Sequence, residues 1–167
     1  ARIYELSQVG DIPSEASFQI PFRHLCNLLQ LHEGNIAVAI GTLGPMTESQ
    51  KKRLEIRCAC AWNWITTFAP EDFKYRLAIG TDPKVELTEV ELKAIRDLAA
   101  LVEVMDDLED KEYTTRLYDA AKDNGIDTKE FFQLVYRVMI NKDQGPKLGP
   151  FIKTCGKEKT LSILKRY

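Results

Sequence analysis

Apolar residues recur every three or four positions along most of this chain, which is the spacing of one buried face of an α-helix. The clearest stripe follows Thr88 and contains Leu92, Ile95, Leu98, Ala99, Val102, Met105 and Leu108. Thr88 and Glu91 have capping-box spacing, in which each side chain bonds the backbone amide of the other residue. Thr47 and Gln50 repeat this spacing before a segment that reaches about Phe68. The sequence therefore predicts two long helices with defined starting points.

Proline, glycine and short polar residues delimit the other predicted helices. These helices cover seven segments: 21–33, 36–43, 71–77, 111–124, 128–140, 148–154 and 157–166. Residues 78–87, which include Gly80 and Pro83, are predicted to form a loop. Only residues 2–6 have a weakly strand-like pattern. The predicted fold class is all-α, an irregular multi-helix bundle of about eight or nine helices.

The length of 167 residues fits one domain, and the chain has the composition of a globular protein. No apolar run approaches the roughly 20 residues of a membrane span, and no signal-peptide pattern precedes the domain. We therefore expect a cytoplasmic protein without a membrane partner. Because the chain begins at Ala1 without an initiator Met, we also expect it to be part of a longer protein.

No residue pattern predicts a catalytic or metal site. His24 and His32 are two helical turns apart and lack the spacing of a zinc pair on a helix. Four cysteines also lack zinc-site spacing and are predicted to be inert thiols: Cys26, Cys58, Cys60 and Cys155. Four clustered carboxylates have no glycine-pinned loop for a metal and are predicted to be a solvated face: Asp106, Asp107, Glu109 and Asp110.

Trp62 and Trp64 are two positions apart, so they point in different directions from one helix. Core packing of both rings is favoured, since aromatic side chains dominate helical packing. The alternative places one of the rings at a partner surface.

Charge is distributed unevenly along the chain. Residues 81–130 carry seven Lys or Arg and fifteen Asp or Glu, whereas residues 131–167 carry eight and two. Such asymmetry is typical of a protein with one polyanion-facing surface. Mutual attraction of the two segments explains it equally well.

The basic segment contains the most specific candidate site. Tyr136 and Arg137 end an aromatic-rich helix, and a loop with Gly145 and Pro146 follows them. Lys142, Lys147 and Lys153 add positive charge, and Gly149 follows the loop. Single-stranded RNA is bound by aromatic or guanidinium planes and backbone groups that contact bases, while lysines hold phosphates. From these residues alone, an ordinary helical corner with solvated lysines remains the favoured alternative.

Six motifs, taken in order, resemble the C-terminal domain of class I lysyl-tRNA synthetases. They are IPFRHL at 20–25, AWNW at 61–64, FAPEDF at 68–73, EFFQLVY at 130–136, GPKLG at 145–149 and GKE at 156–158. The last two motifs also resemble the end of bacterial glutamyl-tRNA synthetases. The resemblance covers essentially the whole chain.

This resemblance implies an α-helix cage that binds the anticodon loop of lysine tRNA. The site residues that it implies are Tyr136, Arg137, Gly145, Pro146, Lys147 and Leu148. The basic Lys153 is added to this predicted site because of its charge. Glutamyl enzymes can have a hydroxyl residue at the position of Gly145. Because glycine has no side chain, a contact at Gly145 would use its backbone. Residues 1–167 would form the C-terminal anticodon-binding domain, with lysine tRNA and its own catalytic domain as partners and without DNA.

The two ATP-binding signatures of class I synthetases are absent from the chain. The resemblance implies that ATP, with Mg, binds a catalytic domain that lies outside this chain. It also implies that the anticodon-binding domain itself needs no cofactor. Two alternatives remain open at this point. One is the anticodon-binding domain of a glutamyl-type synthetase, and the other is a helical protein-interaction domain without RNA binding.

Overall fold

The computed structural model describes residues 18–167, and this range is helical without any strand. It contains eight α-helices: α1 (Phe22–Leu31), α2 (Ile36–Gly41), α3 (Glu48–Thr67), α4 (Glu89–Glu103), α5 (Asp110–Asp123), α6 (Thr128–Ile140), α7 (Leu148–Cys155) and α8 (Lys157–Leu164). One 3₁₀ turn, Met105–Asp107, follows α4. The all-α prediction is confirmed, and the strand-like residues 2–6 lie outside the described range.

Both predicted capping boxes form. The Thr47 hydroxyl accepts the Gln50 amide at 3.2 Å, and the Thr47 amide donates to Gln50 Oε1 at 2.9 Å. Thr88 and Glu91 make the same pair of bonds at 3.3 and 2.8 Å. Because these bonds satisfy backbone amides that have no partner inside the helix, they define where α3 and α4 begin.

The helix predicted at 71–77 is wrong. Residues 70–73 form a turn closed by the Phe73 amide and the Pro70 carbonyl at 3.0 Å, and an irregular segment follows. The Tyr75 amide donates to Gln30 Oε1 at 2.8 Å, and the Ala78 amide donates to the Met139 carbonyl at 2.7 Å. These amides therefore bond to α1 and α6, which prevents the i to i−4 bonds of a helix.

The helix that follows Thr88 ends at Glu103, earlier than the apolar stripe to Leu108 predicts. The Val104 amide bonds the Leu101 carbonyl at 3.2 Å, which tightens the chain into the 3₁₀ turn. Met105 is still buried, but it reaches the core from this turn.

Buried side chains form two clusters. The N-terminal core joins α1, α2 and α3 through Leu25, Cys26, Leu28, Leu29, Ala39, Ile40, Leu54, Cys58, Ala61 and Ile65. The C-terminal core joins α4 to α8 around residues that include Ile95, Leu98, Val102, Phe131, Val135, Phe151 and Ile152. Tyr75 bridges them, since its amide bonds Gln30 of α1 and its ring lies 5.7 Å from that of Phe151.

Neither tryptophan is fully buried, so the prediction that both are core residues holds only in part. Trp62 packs against the backbone of Gly34. Trp64 lies edge-on between Phe22 and Phe73, with ring centroids 5.3 and 5.1 Å away. Both rings cover the edge of the N-terminal core.

The cysteines are free thiols, and three of them are buried. Burial raises the pKa of Cys26 to about 11 and that of Cys155 to about 12. Since the thiolate is the reactive form, both are unreactive near neutral pH. Cys60 is exposed on α3.

Candidate nucleic-acid interface

The loop between α6 and α7, residues 141–147, begins at a fixed backbone position. Asn141 ends α6 in the left-handed region, with φ 53° and ψ 41°, and its amide bonds the Arg137 carbonyl at 3.1 Å. Asparagine tolerates this conformation better than most residues. The chain therefore leaves α6 in a defined direction.

Tyr136 supports this loop from below. Its side chain is buried, its ring lies directly under Gly145, and its hydroxyl donates to the Pro146 carbonyl. Burial also raises the pKa of this phenol, which keeps it protonated as a donor. The structure thus places Tyr136 where it positions the loop, with its ring beneath the surface that a ligand would contact.

Arg137 and Lys147 are exposed beside the loop. Arg137 Nε donates to Asp143 Oδ1 at 2.6 Å, and this bond raises the pKa of the guanidinium further. The Lys147 side chain has no hydrogen-bond partner within residues 18–167. Lys142 Nζ donates to the Glu71 carbonyl, which ties the loop to the segment after α3.

Leu148 and Lys153 are placed differently from these cations. The Leu148 side chain is buried in the C-terminal core, so a ligand can reach only its backbone. Lys153 Nζ pairs with Asp110 and lies 5.0 Å from the centroid of the Tyr113 ring. Lys153 therefore contacts α5, and its predicted role toward a ligand stays a prediction.

Part of the uneven charge is neutralised within the molecule. Lys165 pairs with Glu103 at 2.7 Å and Lys153 pairs with Asp110, so part of the basic segment neutralises the acidic one. Arg137, Lys142 and Lys147 instead surround the loop. Arg137 itself pairs with Asp143, so Lys142 and Lys147 are the cations beside the loop that have no carboxylate partner within residues 18–167.

Backbone amides of the loop are available to a ligand. The amides of Asp143, Gln144, Gly145 and Lys147 donate to no protein acceptor in the part of the chain that the structure describes. Exposed amides in a rigid loop can bind carbonyl oxygens of bases or phosphate oxygens.

A groove of about 740 Å³ lies between this loop and the N-terminal core. Three segments line it: Arg23 and Asn27 of α1, residues that include Asp72, Phe73 and Tyr75, and residues 142–146 of the loop. Sequence reasoning gave Arg23 and Phe73 no role. Both lie in motifs that carry the resemblance, but only the fold brings those motifs to one groove.

A second groove of about 680 Å³ lies on the other side of residues 71–76 and is rich in cations. Arg76 binds Asp82 through two bonds of 2.7 and 2.8 Å, which hold the pKa of that carboxyl below its usual range. Lys74 pairs with Glu71 at 2.6 Å. Arg137, which pairs with Asp143, and Lys142 line this groove as well as flanking loop 141–147.

Changing Tyr136 to phenylalanine is expected to lower the free energy of unfolding by about 1 kcal/mol, because one partly buried hydrogen bond is lost. Urea denaturation followed by circular dichroism measures this. Tyr118→Phe is the matched control, since that tyrosine is 41% exposed and its hydroxyl has no partner between residues 18 and 167. Equal effects of the two changes would contradict the role assigned to the Tyr136 hydroxyl.

Potential metal ligands do not cluster in the described range. No three His, Cys, Asp or Glu side chains converge within residues 18–167. His32 instead contacts Lys159, with 3.3 Å between Nδ1 and Nζ. Within the same residues, no helix is long and apolar enough to cross a membrane.

Comparison with known proteins identifies the family of this chain. Residues 48–167 match the family model of the anticodon binding domain. The chain is 41% identical to the lysine–tRNA ligase of Treponema pallidum, 35% to that of Borreliella burgdorferi and 32% to that of Thermococcus kodakarensis. The alignments cover 99%, 99% and 98% of this chain and 32% of each relative, so the chain spans about a third of their length. The resemblance to class I lysyl-tRNA synthetases is thereby confirmed, and the chain belongs to the anticodon binding domain family.

Proposed function

We propose that this chain is the C-terminal domain of a cytoplasmic lysine–tRNA ligase and binds the anticodon loop of lysine tRNA. The observation that carries this proposal is the rigid loop 141–147, which presents free amides and three cations in a chain of the anticodon binding domain family. The names of the relatives support lysine as the amino acid.

Selection and positioning are the functions that this site can perform. Arg137, Lys142 and Lys147 would hold phosphates, while the amides of Gln144 and Gly145 would bond base edges. Each good base contact supplies roughly 1–3 kcal/mol, so losing one weakens discrimination about tenfold or more. Binding of the anticodon loop at this site would position the tRNA so that its acceptor end reaches the catalytic part of the longer protein.

We propose that ATP and Mg²⁺ bind the catalytic part of the longer ligase, as the resemblance implies. Adenylation of lysine and its transfer to the tRNA would then occur in that part.

The test is the affinity of the chain for a lysine tRNA transcript and for the same transcript with its anticodon uridines replaced. A clear preference for the intact anticodon supports the proposal. Preference for a glutamate tRNA would support a glutamyl-type domain instead. Absence of binding to every tRNA at about 50 mM salt, where phosphate contacts are strongest, would favour a protein-interaction domain.

Replacing Arg137 and Lys147 together by alanine is expected to weaken tRNA binding about tenfold and to reduce the salt dependence. Removing two contacts to single-stranded phosphates lowers the slope of log K against log salt by about 1.4. Electrophoretic mobility shifts at several salt concentrations measure both values. Stability should change by less than about 1 kcal/mol, because the Arg137–Asp143 pair is exposed.

Lys122→Ala combined with Lys129→Ala is the matched control for this double variant. Both lysines are exposed, and replacing them removes the same charge as the Arg137 and Lys147 variant. They flank the opposite end of α6. An equal loss of affinity in the two double variants would show that only net charge matters.

A further inference from the structure

We infer that the groove between α1 and loop 141–147 accepts one unstacked nucleobase of the anticodon loop, with its ring against Phe73. This inference rests on the proposed function and adds the residues that read a base. It assigns roles to Arg23, Asn27 and Phe73, which the motif resemblance left without one.

The size of the groove suits a nucleotide. Its volume of about 740 Å³ lies within the range of pockets that hold small organic ligands. Tyr75 lines the groove and is held in place, since the Tyr75 amide bonds Gln30 and the Tyr75 hydroxyl donates to the Asn27 carbonyl at 3.4 Å. Burial raises the pKa of this phenol, so it remains neutral.

Phe73 provides a stacking surface that is held in place. The ring is half-buried, lines the groove and is fixed from behind by Trp64, whose ring centroid is 5.1 Å away at an interplanar angle of 79°. Phe22 in turn contacts the Trp64 ring edge-on. A fixed aromatic ring loses little entropy when a base stacks on it, and stacking is how proteins hold splayed bases.

Polar groups around this ring are of the kinds that read a base edge. The side chains of Arg23, Asn27 and Gln144 line the groove and make no hydrogen bond to any residue in the range 18–167. Asn27 and Gln144 offer both donors and acceptors, whereas Arg23 offers donors only. The amides of Gln144 and Gly145 add backbone donors on the opposite side.

The α1 side of the groove lies in a segment that aligns with lysine–tRNA ligases. The match to the family model begins at residue 48, so Arg23 and Asn27 lie outside it. Alignments with lysine–tRNA ligases cover 98–99% of the chain and therefore include α1.

The test compares the wild-type chain with Phe73→Leu on lysine tRNA transcripts that carry an abasic nucleotide at one anticodon-loop position at a time. In the wild type, the abasic change at the position held by Phe73 should weaken binding about tenfold. Phe73→Leu should bind the intact transcript about tenfold more weakly. It should also become insensitive to that one abasic change and keep its sensitivity to the others.

Phe68→Leu is the matched control, because Phe68 is 70% exposed and does not line the groove. It should behave like the wild type at every position. Thermal unfolding by circular dichroism checks that Phe73→Leu remains folded. If it does not, Asn27→Ala tests the same groove, because it should reduce the sensitivity to the abasic change at one position only.

The possible results separate this inference from the proposed function. Wild-type sensitivity at every position in both Phe73→Leu and Asn27→Ala would overturn the groove assignment and leave anticodon binding intact. A wild-type chain that does not distinguish the intact from the altered anticodon would overturn the proposed function and this inference together.

Discussion

Replacing Gly34 by alanine is expected to lower the free energy of unfolding by about 3 kcal/mol. Gly34 has φ +78°, a left-handed conformation that costs other residues about 1–2 kcal/mol. A Cβ there would lie 2.3 Å from Cε2 of Trp62, and overpacking of this kind costs about 1–3 kcal/mol. Urea denaturation followed by circular dichroism measures the change.

Gly44→Ala separates the two contributions to this effect. Gly44 has a similar φ of +81°, but no atom of residues 18–167 beyond Gly44 and its two chain neighbours lies within 4 Å of its Cβ position. We expect only the backbone cost, about 1–2 kcal/mol. If both variants lose the same stability, the contact with Trp62 contributes nothing. A smaller loss for Gly34→Ala in a Trp62→Leu background would confirm the steric coupling.

Gly145→Ala is expected to weaken binding of lysine tRNA at least about 100-fold, since moving the loop removes several contacts of 1–3 kcal/mol each. A Cβ at this position would lie 2.8 Å from Cδ1 and Cε1 of Tyr136 and 3.1 Å from Cδ1 of Ile140. Both neighbours are buried, so the loop has to move away from them. Its φ is not positive, so space and not backbone strain explains the glycine.

Gly149→Ala is the control for the loop variant. Its Cβ would lie 3.7 Å from Tyr113 and 3.8 Å from Leu117, which is ordinary contact. Because alanine favours helices, we expect unchanged binding and slightly higher stability. Wild-type affinity of Gly145→Ala, measured by mobility shift beside this control, would exclude loop 141–147 as the interface.

Features that depend on neighbouring residues could be predicted from the sequence. The starts of α3 and α4 were predicted correctly because a capping box involves residues only three positions apart. The same holds for α6, where Asp127 caps the helix as expected. The family resemblance likewise depends on the order of short motifs, which folding does not change.

The candidate site could be predicted only in part. Arg137, Lys147 and the loop were identified from their composition and the resemblance, and the structure places them at the surface. Tyr136 was also identified, but its ring is buried and supports the loop. Since the residue type does not reveal which way a helix faces its neighbours, exposure could not be derived from the sequence.

The sequence alone determined the helical fold class and most helix boundaries, because helix periodicity and caps are local. Only the tertiary structure decided that residues 71–77 are irregular, since their conformation depends on bonds to Gln30 and Met139. It also decided that Arg23 and Phe73 share a groove with Gly145. Contacts between distant segments form when separate helices pack, and no local pattern in the chain encodes that packing.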